Sequence, residues 1–154
     1  MSGNMDNSSV TQMERKLLFI LKEEYSFYQS LYLTLDKQRD AVKYNNDERL
    51  LDLFTEIERC HKRIKRSEEK VTALKEKAPQ VFDRASASPE VSKIVNSIAT
   101  MVKKNMNLVR ECEEYLQGRY QRIKDELGEL KSSSKILQYL SDGDSTPQFV
   151  DGKS

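Results

Sequence analysis

The chain has 154 residues and a mass of 17.9 kDa, room for about one domain. Charged residues make up 33% and apolar residues 37%, with no Trp, 5 Gly and 3 Pro, a balance that suits long surface-rich helices better than a thick globular core. The 26 basic and 25 acidic side chains leave a formal charge of +1, so no large net field draws nucleic acid or an anionic membrane toward the protein.

The first ten residues are rich in Ser and Asn and contain no basic region followed by an apolar run. No window reaches the roughly 18 apolar residues that a bilayer span needs. A soluble, cytoplasmic protein without membrane insertion is therefore expected. Two cysteines, Cys60 and Cys112, are too few and too far apart for a secreted disulfide framework.

In chain order, Ser8 and Ser9 offer N-caps for a first helix over about 9–44. Met13, Leu17, Ile20, Leu21, Tyr25, Phe27, Tyr28, Leu31, Tyr32, Leu35 and Val42 share one broad face of it, about half the circumference. A stripe that wide touches two neighbours or leaves apolar surface for a partner. Phe19 and Leu33 fall on the opposite face as ordinary exposed apolar residues. Asn45, Asn46 and Asp47 then make a short turn, with Asp47 as cap for a second helix over about 47–78, antiparallel to the first.

The second helix carries the seam that organises the chain. Leu50, Leu53, Ile57, Cys60, Ile64, Ser67, Val71 and Leu74 recur in steps of three and four, with charged residues in most of the gaps. Such a repeat keeps one stripe of a helix facing partner helices, as in a coiled coil. Pro79 forbids simple continuation, and residues 79–88 read as a loop with a short turn at Val81 and Phe82.

Ser88, Pro89 and Glu90 form a clear third start, for Ser is a good N-cap, Pro suits the first helical position and an acid complements the helix dipole. From there the seam resumes through Val91, Val95, Ile98, Val102, Asn105, Val109, Cys112, Leu116, Ile123, Leu127 and Leu130. Asn105 is expected to be a partly exposed seam residue. Gly118 and Gly128 each weaken the helix by about 1 kcal/mol relative to Ala without breaking it. Ser132, Ser133 and Ser134 are expected to interrupt it, giving a third helix over 89–131, a short helix over 135–141 and a flexible tail over 142–154.

The fold class is thus all-α, an elongated antiparallel three-helix bundle or coiled coil with a bundle domain over 1–141. At 1.5 Å per residue the first helix is roughly 50 Å long and the third roughly 60 Å, so the third is expected to overshoot the turn at Asn45 and Asn46. An uncovered amphipathic end invites a ligand helix, a partner protein or a second copy of the chain.

Catalytic chemistry finds little to work with. Glu58 and His61 have the Glu-x-x-His spacing of di-iron bundles, but such a site needs two pairs and the chain has 1 His. Cys60 and Cys112 are at most half of a zinc site and are better described as small buried apolar residues. Lys62, Arg63, Lys65 and Arg66 form a basic run flanked by Glu58, Glu68, Glu69 and Glu76 and without interleaved aromatics, which reads as a solvated, salt-bridged face. No glycine-rich phosphate loop and no activated nucleophile is present, so no enzyme, cofactor or metal site is expected.

The long first helix with its apolar runs 17–21 and 25–35, the turn at 45–47 followed by 50–57, and a third long helix with a short tail resemble the FlgN family. Those proteins are small cytoplasmic chaperones of flagellar type III export. The family often carries a Tyr-Gly pair and a further Gly three residues on, just before its tail. Tyr139 and Gly143 keep the Tyr and the second Gly, with Leu140 in place of the first, and the ending Pro147, Gln148, Phe149, Val150, Asp151 resembles the apolar-Asp endings of some members.

The resemblance implies binding without bond chemistry. FlgN-like chaperones hold hook-associated proteins through the clients' C-terminal helices and deliver them to the export gate or export ATPase components. Here the client surface would be Tyr115, Tyr120, Ile123, Leu127, Leu130, Ile136, Leu137 and Leu140, and Tyr139 would dock at the export gate. The alternative is a structural coiled-coil scaffold or adaptor whose seam is completed in a homodimer, since the same periodicity serves self-association.

Overall fold

The computed structural model describes the backbone of residues 2–141 and the side chains of residues 7–133, 137, 138 and 140. The expected tail over 142–154, with Gly143 and the ending at 147–151, lies outside the described residues. Among the described residues the chain forms four α-helices and no strand, an all-α helical bundle. They are α1 (Ser2–Lys43), α2 (Leu50–Lys77), α3 (Pro79–Ser86) and α4 (Pro89–Ser141), with a 3-10 turn, Asp47–Arg49, before α2. The chain divides into two units, Met1–Glu113 and Glu114–Ser154.

Helix α1 begins earlier than its Ser8 and Ser9 suggest. Both serines are helical, and the Thr11 hydroxyl donates to the Asn7 carbonyl at 2.9 Å, an interior pattern rather than a cap. Nothing after Gly3 in this polar lead-in breaks a helix, so the cap signal does not mark a boundary. The other end is sharper. Asn45 adopts φ 57, its N–H donates to the Val42 carbonyl at 3.3 Å, and the Asn46 N–H donates to the Ala41 carbonyl at 2.7 Å. Those two bonds are the paired closure of a Schellman motif, and Asn is among the few residues besides Gly that occupy its left-handed position readily. Asp47 opens the 3-10 turn instead of capping α2, which starts at Leu50.

Residues 79–86 are helix instead of loop, and only Ala87 and Ser88 form a turn. Pro79 is the first residue of α3, where its missing N–H costs nothing, and the break falls on Ala78, which is extended at φ −152. Packing holds the short helix in place, because Ala85 is fully buried and Phe82 lies against the apolar cluster around Leu17, Leu21 and Val91. Ser88 then caps α4 as its sequence predicts, its Oγ accepting from the Val91 N–H at 3.2 Å.

Within the first unit, two apolar clusters sit one above the other. The lower joins Leu17 and Leu21 of α1 to Val71 and Leu74 of α2, Phe82 of α3 and Val91, Ile94 and Ile98 of α4. The upper joins Leu31 and Leu35 to Cys60, Ile64 and Leu108. Along α1, then, numbers rise while those on α2 fall and those on α4 rise, so α2 is antiparallel to α1 and α4 runs parallel to it. Arg39 ties α4 to α1, with Asp36 at 2.7 Å, Asp40 at 3.2 Å and Glu111 at 3.3 Å.

The α2 seam is buried or half-buried along its whole length. The α4 seam runs one residue out of the expected phase at two positions, where Ile94 and Leu108 turn inward while Val95 and Val109 are 45% and 42% exposed; between them Met101 and Val102 are both half-buried. Asn105 is buried, not partly exposed, since the turn that carries it is sandwiched between the two clusters. Its Nδ2 donates to the Tyr28 carbonyl at 3.4 Å and its Oδ1 has no partner.

Ser132, Ser133 and Ser134 do not interrupt α4, which continues to Ser141 as one helix of 53 residues instead of ending at 131 and restarting at 135. Ser lowers helix propensity by only a few tenths of a kcal/mol and, unlike Pro, leaves the backbone ladder intact. The helix also passes through Gly118 and Gly128, beside which an added Cβ would meet nothing within 4 Å.

Candidate functional site: the exposed face of α4

In the second unit α4 carries apolar side chains that its own helix cannot bury. Every described residue from Tyr120 to Ser133 is exposed, and so are Leu137, Gln138 and Leu140. Leu116, Tyr120, Ile123, Leu127, Leu130 and Leu137 follow one another at heptad spacings and are between 46% and 67% exposed. At 3.6 residues per turn they fall within an arc of about 100° on one side of the helix. Six side chains of that size, each roughly half exposed or more, make an apolar patch on the order of 500 Å², comparable to the largest patch an ordinary monomer carries.

The stripe does not contain all the residues expected in it. Tyr115 is half-buried and continues the inward line of Leu108 and Cys112, about 100° from its neighbour Leu116 and about 40° outside the arc. Leu140 is exposed but lies about 60° beyond the edge of the arc. The side chains of Ile136 and Tyr139 lie outside the described residues, although both backbones are helical. Leu116 joins the stripe instead of the internal seam; stepping back seven residues from Ile123 finds it.

Polar groups give the first unit its electrostatic character, between the two apolar clusters. Glu24, on the core side of α1, is 7% exposed. Burial, and secondarily the negative charge of Glu68, push its carboxyl from the ordinary 4.5 up to about 7. Tyr28 is raised by burial and by Glu68 and Glu24. Ser67 is buried with its hydroxyl unpaired, as is Asn105 Oδ1. Together these residues make a polar layer through α1, α2 and α4. It was hidden in the sequence because Glu24 is charged, although it falls in heptad phase between Leu21 and Tyr28.

Other candidates show no constellation for chemistry. Cys60 and Cys112 are free and buried, and burial pushes both thiols up, away from the reactive thiolate. Glu58 and His61 are exposed, and among the described residues no group of three or more His, Cys, Asp or Glu side chains could hold a metal ion. The basic run is solvated as expected, but it is salt-bridged only at its margins. Arg59 meets Glu56 at 3.9 Å and Lys70 meets Glu23 at 3.8 Å, while the Arg63 guanidinium lies 5.9 Å from the Phe27 ring centre. Open recesses beside Phe19 and beside Gly128 are each lined by a single helix and enclose nothing. Among the described residues no helix is long and apolar enough to cross a membrane.

The fold and the stripe define a helical-bundle protein with an exposed apolar stripe along one helix. No protein-family model, no curated protein and no solved structure matches the chain.

Proposed function

We propose that the chain is a helix-binding export chaperone of the FlgN type. Its α4 stripe takes up the C-terminal helix of a hook-associated client, keeps that client unassembled and presents it to the export machinery. One observation supports this above the others: six apolar side chains at heptad spacing stand exposed on one helix face, which is how an amphipathic helix is received by another. Covering the stripe would gain on the order of 10 kcal/mol at 25 cal/mol per Å², before association and ordering costs of comparable size. Net affinity is then moderate, which suits a carrier that must also release. Tyr139, near the end of α4, is assigned to the export gate on the family resemblance.

The test is calorimetric titration of the full chain with the C-terminal segment of a hook-associated protein. A one-to-one complex is expected, weakened at least a hundredfold by Ile123→Asp with Leu130→Asp, while helicity by circular dichroism stays unchanged. A Tyr139→Ala chain should hold the segment normally and fail in delivery. Absence of binding, together with a stable dimer that Ile123→Asp with Leu130→Asp dissociates, would replace the chaperone with the self-associating scaffold.

A further inference from the structure

The two edges of the α4 stripe carry different charges. Leu116, Ile123, Leu130 and Leu137 form one apolar line, and Tyr120 and Leu127 form the line beside it. Along the outer side of the second line stand Lys124 and Lys131, both exposed and without an ion pair among the described residues. Seven residues apart, they lie about 10 Å from one another along the axis. Beyond the first line stand Arg119 and Glu126, whose charges oppose each other. One edge is therefore uniformly basic, and the other is electrically mixed.

We infer that the helix docking here has an acidic edge, with carboxylates seven residues apart opposite Lys124 and Lys131. This rests on the reading of the stripe as a docking face and narrows which helices it accepts. Residues flanking an apolar seam select partners by charge more than they add affinity. They do not select a second copy of this chain. In a parallel pairing in register, Arg119 would face Lys124 of the other copy, a like pair, while Glu126 would face Lys131, an unlike pair, and the two contributions cancel.

The experiment uses the full chain and two synthetic helical peptides with the same Leu/Ile stripe, one with Glu and one with Lys at the two edge positions, followed by fluorescence anisotropy. The Glu peptide is expected to bind about tenfold more tightly, a preference that 0.5 M salt weakens. Lys124→Glu with Lys131→Glu should reverse the preference, and Lys124→Gln with Lys131→Gln, which adds no new charge to the helix, should abolish it. Equal binding of the two peptides, or preference for the Lys peptide, overturns the acidic edge while leaving the docking face standing. Binding of neither peptide, or a self-associated chain that excludes both, overturns the docking face and the inference with it.

Discussion

Replacing Glu24 with Gln is expected to stabilise the protein at neutral and alkaline pH and to leave it nearly unchanged in acid. The carboxyl is held near pH 7 in the folded chain, against an ordinary 4.5, because burial and Glu68 disfavour its charge. Below pH 4.5 the group is protonated in both folded and unfolded states and costs nothing. Between pH 4.5 and 7 the folded state keeps a proton that the unfolded state has lost, so stability falls as pH rises, and above 7 the full cost is present. At 1.36 kcal/mol per pH unit the limit is about 3 kcal/mol; residual solvent access to the carboxylate brings the expected cost to about 2 kcal/mol. Gln keeps the shape and removes the charge. Urea unfolding of both chains from pH 4 to 9 should show a difference that is small at pH 4, grows through pH 5–7 and is flat at about 2 kcal/mol beyond. A difference independent of pH, or a Gln variant less stable at pH 8, would refute the argument that Glu24 is a charge forced into the core.

Two further substitutions probe the same core. Ser67→Ala removes a buried hydroxyl that has no partner and should raise stability by about 1 kcal/mol in chemical denaturation. Leu17→Ala empties the most enclosed leucine, 1% exposed between α1 and α4, and should cost about 3 kcal/mol, seen as a lower urea midpoint with an unchanged slope.

How far the fold could be read from the sequence varied with the ambiguity of each pattern. On α2 one line of apolar residues runs the length of the helix, with Leu51 and Phe54 alone among its large apolar residues falling off it, so Leu53, Cys60, Ile64 and Ser67 were legible as the buried face. On α4 two lines share Val91, Ile98, Asn105 and Cys112 and diverge between them. Ile94, Met101 and Leu108 compete with Val95, Val102 and Val109, and periodicity weighs both alike. Packing against Leu31 and Leu35 selects the line with Leu108, a choice made by neighbours distant in sequence. Pro79 was legible as a break, but whether a proline ends one helix or begins the next depends on what Phe82 and Ala85 find to pack on. Most of the candidate face was visible as apolar heptads from Tyr120 onward. Tyr115 departed from it because it continues the α4 line that begins inside the first unit.

The unbroken course of α4 has a kinetic meaning. Starting a helix in water is the unfavourable step, with a nucleation constant of roughly 10⁻³, whereas lengthening one already begun costs little per residue. The packed turns that contain Val91 and Leu108 supply that start, and everything beyond Glu113 grows from them. On the proposed docking, an arriving helix would meet a template instead of a coil that must first fold. Its capture would then be governed by diffusion and orientation, and a proline placed upstream of the stripe, at Glu114, would slow it without touching a single contact side chain.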